Sequence, residues 1–86
     1  MKKLAEILTG PETWCQIKLH DGERRCLLGA MFVCGDFNLD RMLDVIRRET
    51  GRYYTAVIEW NDDPKRTWEE VAAVVAAYDR DRLLNP

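Results

Sequence analysis

Three cysteines and a single histidine carry the most reactive side chains of this chain, at Cys15, His20, Cys26 and Cys34. A thiol becomes a nucleophile when it ionises, and a helix N-terminus promotes this while offering backbone N–H groups to an oxyanion. Cys26 opens the apolar run CLLGAMFVC and so stands where such a helix would begin. His20 lies across a hairpin turn from it, and Asn61 or Asp62 could orient the imidazole, completing a Cys–His–Asn/Asp set. Against this, alternation along the strand sends His20 to the face opposite Ile17 and Cys26. Free cysteines in apolar runs are also usually small, inert core residues. A thiol enzyme with Cys26 as nucleophile and His20 as base is therefore the alternative reading of the chain, and not the main one.

The same four residues would offer zinc three thiolates and an imidazole, but they are separated by four, five and seven residues, with no C-x-x-C knuckle. The acidic group Asp62, Asp63, Glu69 and Glu70 lacks the glycine-punctuated loop of a calcium site. No metal and no cofactor is expected.

The other constellation is Trp60, Asn61, Asp62, Arg66 and Trp68, a polar block between two indoles. One reading is a recognition loop, with Trp60 or Trp68 as aromatic anchor beside Arg66. The other is a structural plug in which Asn61 or Asp62 accepts loop N–H groups and Arg66 pairs with a carboxylate. The local signals favour a bend that launches a helix. Asn61-Asp62-Asp63-Pro64 breaks regular structure. Thr67 and Glu70 then form a capping box, with Glu69 and Glu70 in the first turn where the helix dipole favours negative charge. Apolar residues at Trp68, Val71, Ala72, Val74, Val75 and Tyr78 keep a helical period behind it. DRDRLLNP continues that helix for about one turn before fraying.

Upstream, Leu4, Ala5, Ile7 and Leu8 predict a short helix ended by Gly10 in a left-handed cap and by Pro11. Trp14 to Leu19 alternates as a strand, and Asp21-Gly22 is a two-residue hairpin turn that sets Leu19 opposite Arg24, Lys18 opposite Arg25 and Ile17 opposite Cys26. Cys26 to Cys34 is apolar all round, which predicts a central buried helix. Gly29 within it costs helix propensity and so predicts a second backbone passing close by. Gly35 ends it. Asn38 caps a third helix, with Phe37 and Met42 as a hydrophobic staple, Leu39, Met42, Leu43 and Ile46 as the buried face, Arg47 and Arg48 in the last turn, and Gly51 as terminator. Arg52 to Trp60 has strand composition but fits a short helix equally.

Eighty-six residues make one domain, spanning 1–86, whose large apolar groups each matter for stability. Thirteen basic and fifteen acidic residues argue against nucleic acid as a partner, and the basic pairs Arg24-Arg25, Arg47-Arg48 and Lys65-Arg66 read as solvated surface flanked by acids. No apolar run reaches the roughly 18 residues of a membrane span. The first twelve residues lack the uninterrupted apolar stretch of a signal peptide, so three free thiols fit a reducing cytoplasm.

Two blocks carry a resemblance. Cys26-Leu27-Leu28-Gly29-Ala30-Met31 is similar to a C-x-x-G-A-(aliphatic) block, and Trp60 to Val71 resembles a W-N-D-x-P-x-R-T-x-x-E-V block, both of a family of small bacterial proteins of unknown function. Trp14 and Asp21-Gly22 correspond loosely to further family positions. The resemblance implies a shared α+β fold, tilts residues 52–60 toward a short helix or irregular lead-in, and implies no activity. The chain thus reads as an α+β domain of about four helices packed with one β-hairpin. Its expected role is non-catalytic binding or regulation through the Trp60–Trp68 surface near the hairpin. The expected partner is another protein, and a homodimer contact hiding one tryptophan is a second option.

Overall fold

The structure is a computed structural model and describes residues 2–86. Its longest element is α4, Trp68–Leu84, and the capping box starts it as the residue types require. Thr67 Oγ1 accepts from the Glu70 N–H at 3.3 Å, and Glu70 Oε1 accepts from the Thr67 N–H at 2.9 Å. That backbone bond, helped by Arg66, holds the Glu70 carboxyl below its ordinary pKa. One face of α4 buries Val71, Val74, Val75 and Tyr78 against Met42, Val45 and Ile46 of α2 (Leu39–Thr50) and against Leu4 of an N-terminal 3-10 turn. The helix runs further than the tail sequence suggests because α2 holds its end. Arg41 reaches Asp81 at 2.8 Å and the Asn85 carbonyl at 2.6 Å, and Arg48 reaches Asp81 at 2.9 Å.

The N-terminal segment is not the expected α-helix. Leu4–Glu6 and Pro11–Thr13 are separate 3-10 turns, and Gly10 is extended rather than left-handed. Two long-range bonds explain the difference. The buried Asp79 carboxylate of α4 accepts from the N–H groups of Leu4 and Ala5 at 2.8 and 3.0 Å, so orphan donors are satisfied without a full helix. Leu4 and Leu8 still dock into the core.

Helix α1, Leu27–Cys34, starts at Cys26 and stops at the left-handed Gly35. It buries Leu27, Ala30, Met31 and Cys34, but its all-apolar sequence leaves Phe32 and Val33 exposed. Gly29 has the close neighbour its position demanded, since a Cβ there would collide with the Leu19 carbonyl. In α2, Asn38 caps Arg41 N at 3.0 Å and Gly51 terminates with φ 74°. Leu39, expected on the buried face, is exposed, and Val45, not expected there, is buried. Phe37 stacks on Phe32 with ring centroids 4.2 Å apart. Arg52 to Ala56 is an irregular lead-in, and α3, Val57–Asn61, follows as a short helix. Together these make an α+β globule with, among the described residues, four α-helices and one two-stranded hairpin. No helix among them is long and apolar enough to cross a membrane.

The hairpin is the largest correction. Among the described residues only β1 (His20–Asp21) and β2 (Arg24–Arg25) pair as strands, with His20 opposite Arg25 and Asp21 opposite Arg24. The turn residues are Gly22-Glu23 rather than Asp21-Gly22, with Gly22 alone taking positive φ, as a II′ turn requires. Residues 16–19 form a bend, not a strand, and Trp14 bridges Arg25 in parallel.

Candidate functional site

The bend is shaped by the polar block. Asn61 ends α3 fully buried, where an amide must satisfy both ends. Its Oδ1 accepts from Trp14 Nε1 at 2.8 Å and from the Leu27 N–H at 3.0 Å. Its Nδ2 donates to the Cys15 carbonyl at 3.2 Å and to Asp62 Oδ1 at 2.9 Å. One side chain thus ties the first turn of α1, the segment before the hairpin and the α3–α4 loop together. Trp68 contributes packing, its ring 6.4 Å from that of Trp14.

From this hub the loop grips residues 15–18. Asp62 Oδ1 accepts from the Ile17 N–H at 2.9 Å. Gln16 Nε2 donates to the carbonyls of Asn61 and Asp63 at 2.9 and 2.7 Å. Burial, with Cys26 and Asp21 nearby, pushes the Cys15 thiol up, and the protonated thiol donates to the Lys18 carbonyl at 3.4 Å. Held from both sides, Ile17 adopts φ 76°, the one positive value among the described non-glycine residues. A β-branched side chain in that region is strained. Ile17 nonetheless lies 80% exposed, and Leu19 beside it is also exposed.

Trp60 and Arg66 face a different space. The Arg66 guanidinium stacks 4.3 Å over the Trp60 ring, and Nε donates to the Trp60 carbonyl at 2.9 Å. It pairs with Glu70 at 3.1 Å and Asp63 at 3.7 Å, leaving the side chain only 7% exposed. The Lys65-Arg66 pair is therefore half interior, not the solvated surface expected of it. Trp60 and Arg66 line a cleft of about 440 Å³ together with Thr50, Arg52, Tyr54 and, from α4, Ala73 and Val74. The five residues grouped by the sequence are thus divided. Asn61, Asp62 and Trp68 support the bend, while Trp60 and Arg66 line the cleft.

Cys26 stands at the helix start, as expected, but its thiol is spent locally. Cys26 is 3% exposed, and its Sγ accepts from the Gly29 N–H at 3.3 Å. His20 is exposed on β1, and neither residue lines the cleft. Among the described residues, no three His, Cys, Asp or Glu side chains cluster as metal ligands, so Cys15, His20, Cys26 and Cys34 do not converge.

Sequence reasoning passed over Ile17, Gln16, Arg52, Tyr54 and Lys65. Alternation in WCQIKL signals a strand, and only a Gly or Asn at position 17 would have flagged positive φ. The cleft residues come from three separate segments and have no local signature.

Comparison with curated proteins and with solved structures gives no match. A family model does match, over residues 1–78, described as a family of unknown function, DUF6197. With nine-tenths of its length inside that match, this chain, with its hub asparagine and its strained tip, belongs to the DUF6197 family.

Proposed function

We propose that this protein is a non-catalytic, cytoplasmic binding domain that docks a partner protein through the tip formed by Ile17 and Leu19. The observation that carries this reading is Ile17 itself, a β-branched residue at φ 76° whose side chain lies 80% in solvent. A conformation of this kind costs on the order of 1–3 kcal/mol and persists only where surrounding structure imposes it. Here the imposing groups are Gln16, Asn61 and Asp62, so most of the polar block serves to display an apolar side chain. Lys18, exposed and without an ion pair among the described residues, suits a partner pocket that is apolar at its centre and acidic at its rim. The buried, helix-capping Cys26 and the exposed His20 support a non-catalytic reading, and the three free buried thiols suit a reducing compartment.

The test compares immobilised wild type, Ile17→Gly and, as a control at another exposed aliphatic, Leu83→Ser, with captured proteins quantified by mass spectrometry. Loss of an anchor worth about 2 kcal/mol weakens binding roughly 30-fold. The reading expects a protein retained by wild type and Leu83→Ser and lost from Ile17→Gly. Equal retention on all three folded proteins overturns it.

A further inference from the structure

The cleft beside Trp60 has a donor excess that its own residues do not satisfy. Arg66 is consumed internally, neutralising Asp63 and Glu70 while bonding the Trp60 carbonyl and the Tyr54 hydroxyl. Tyr54 Oη accepts that bond at 3.4 Å, which leaves its own proton available to a ligand. Arg52 and Lys65 line the same space, and neither side chain makes an ion pair among the described residues. Trp60, fully buried at the wall, has an Nε1–H with no hydrogen-bond partner among the described residues. A buried donor without an acceptor is rare in folded proteins and asks for an explanation. Against these donors, Glu49 is the lining acid that makes no ion pair among the described residues.

We infer that this cleft binds a small molecule through an oxyanion, a phosphate or a carboxylate, with Arg52 and Lys65 supplying charge and Tyr54 a neutral donor. Its volume, about 440 Å³, lies within the range of small-ligand sites. Arg66 holds the wall in place: its guanidinium keeps the acids of α4 and the loop from repelling an incoming anion. Glu49 opposes binding through like charge. The inference is independent of the Ile17 tip, since none of residues 15–19 lines the cleft.

The experiment titrates the full chain with inorganic phosphate and, separately, citrate, against sodium chloride at matched ionic strength, following the Trp60 indole N–H resonance. A saturable shift with one of the two oxyanions is expected, and which one responds identifies the group. Arg52→Gln and Lys65→Gln should each weaken the response about tenfold, and Glu49→Gln should strengthen it several-fold. Ile17→Gly should leave it unchanged, so this site and the proposed docking tip fail or stand separately. No shift beyond the chloride control, or a shift indifferent to Arg52→Gln and Lys65→Gln in folded variants, overturns the inference.

Discussion

Replacing Ile17 by glycine should make the protein more stable, although it deletes a whole aliphatic side chain. Relief of the positive φ at a β-branched residue returns about 2–3 kcal/mol, the upper part of the range for such conformations. Glycine gives back roughly 0.5–1 kcal/mol through greater freedom of the unfolded chain. Only about a fifth of the side chain is covered, since Ile17 is 80% exposed. The lost burial is therefore about 0.5 kcal/mol, a fifth of the 1.5–3 kcal/mol for full burial. The balance is a gain near 1 kcal/mol, or about 4–8 °C in Tm for a domain of this size. The Ile17 N–H to Asp62 bond is untouched, because it belongs to the main chain. Thermal melts of Ile17→Gly, Ile17→Asn and Ile17→Val separate strain from other effects. Glycine should melt highest, asparagine next, because it tolerates the left-handed region, and valine level with wild type. A glycine variant that melts at or below wild type would refute the strain argument, and with it the claim that the polar block holds Ile17 against its preference.

Three further perturbations test the contacts that hold the fold together. Asn61→Ala leaves the Leu27 N–H, the Cys15 carbonyl and the Trp14 indole without their partner. At about 1–3 kcal/mol per stranded buried group the loss should reach about 3–5 kcal/mol in urea unfolding, and a loss below about 1 kcal/mol would remove Asn61 from the hub. Gly29→Ala gains about 1 kcal/mol of helix propensity but drives a Cβ into the Leu19 carbonyl. Overpacking should prevail, for a net loss of about 1–2 kcal/mol, and a stabilised variant would contradict the close approach. The carboxyl of Asp81 is held below its ordinary 3.8 by hydrogen bonds from Arg48 and then Arg41. A lowered folded pKa gives stability that is complete above the ordinary carboxylate range and fades as pH falls through the folded value. The Tm difference between wild type and Asp81→Asn should therefore shrink from about pH 6 to about pH 2, and a constant difference would mean that the Arg41 and Arg48 contacts contribute through packing alone.

Local chemistry was legible wherever neighbours in sequence satisfy one another. The Thr67–Glu70 box, the Asn38 cap, and the Gly35 and Gly51 terminators depend on groups three or four residues apart, so residue type alone specifies them. Gly29 was legible for a related reason: a glycine inside an apolar helix has a propensity cost that only close packing explains, although nothing local named Leu19 as the neighbour. The sequence also suggested that Asn61 and Asp62 bond main chain, and they do, but to Cys15, Ile17 and Leu27, more than thirty residues away. That long-range grip turned a strand-like alternation into a bend, moved the hairpin turn to Gly22-Glu23 and forced Ile17 to a backbone angle its side chain resists. The N-terminal turn changed in the same way, because Asp79 on α4 took over the donors a helix would have used. Residue types and spacing fixed where α1 and α2 begin and end and where α4 begins. Which backbone groups found partners across the chain, and so which surface was left strained and which cleft was left rich in donors, was decided only when the segments packed together.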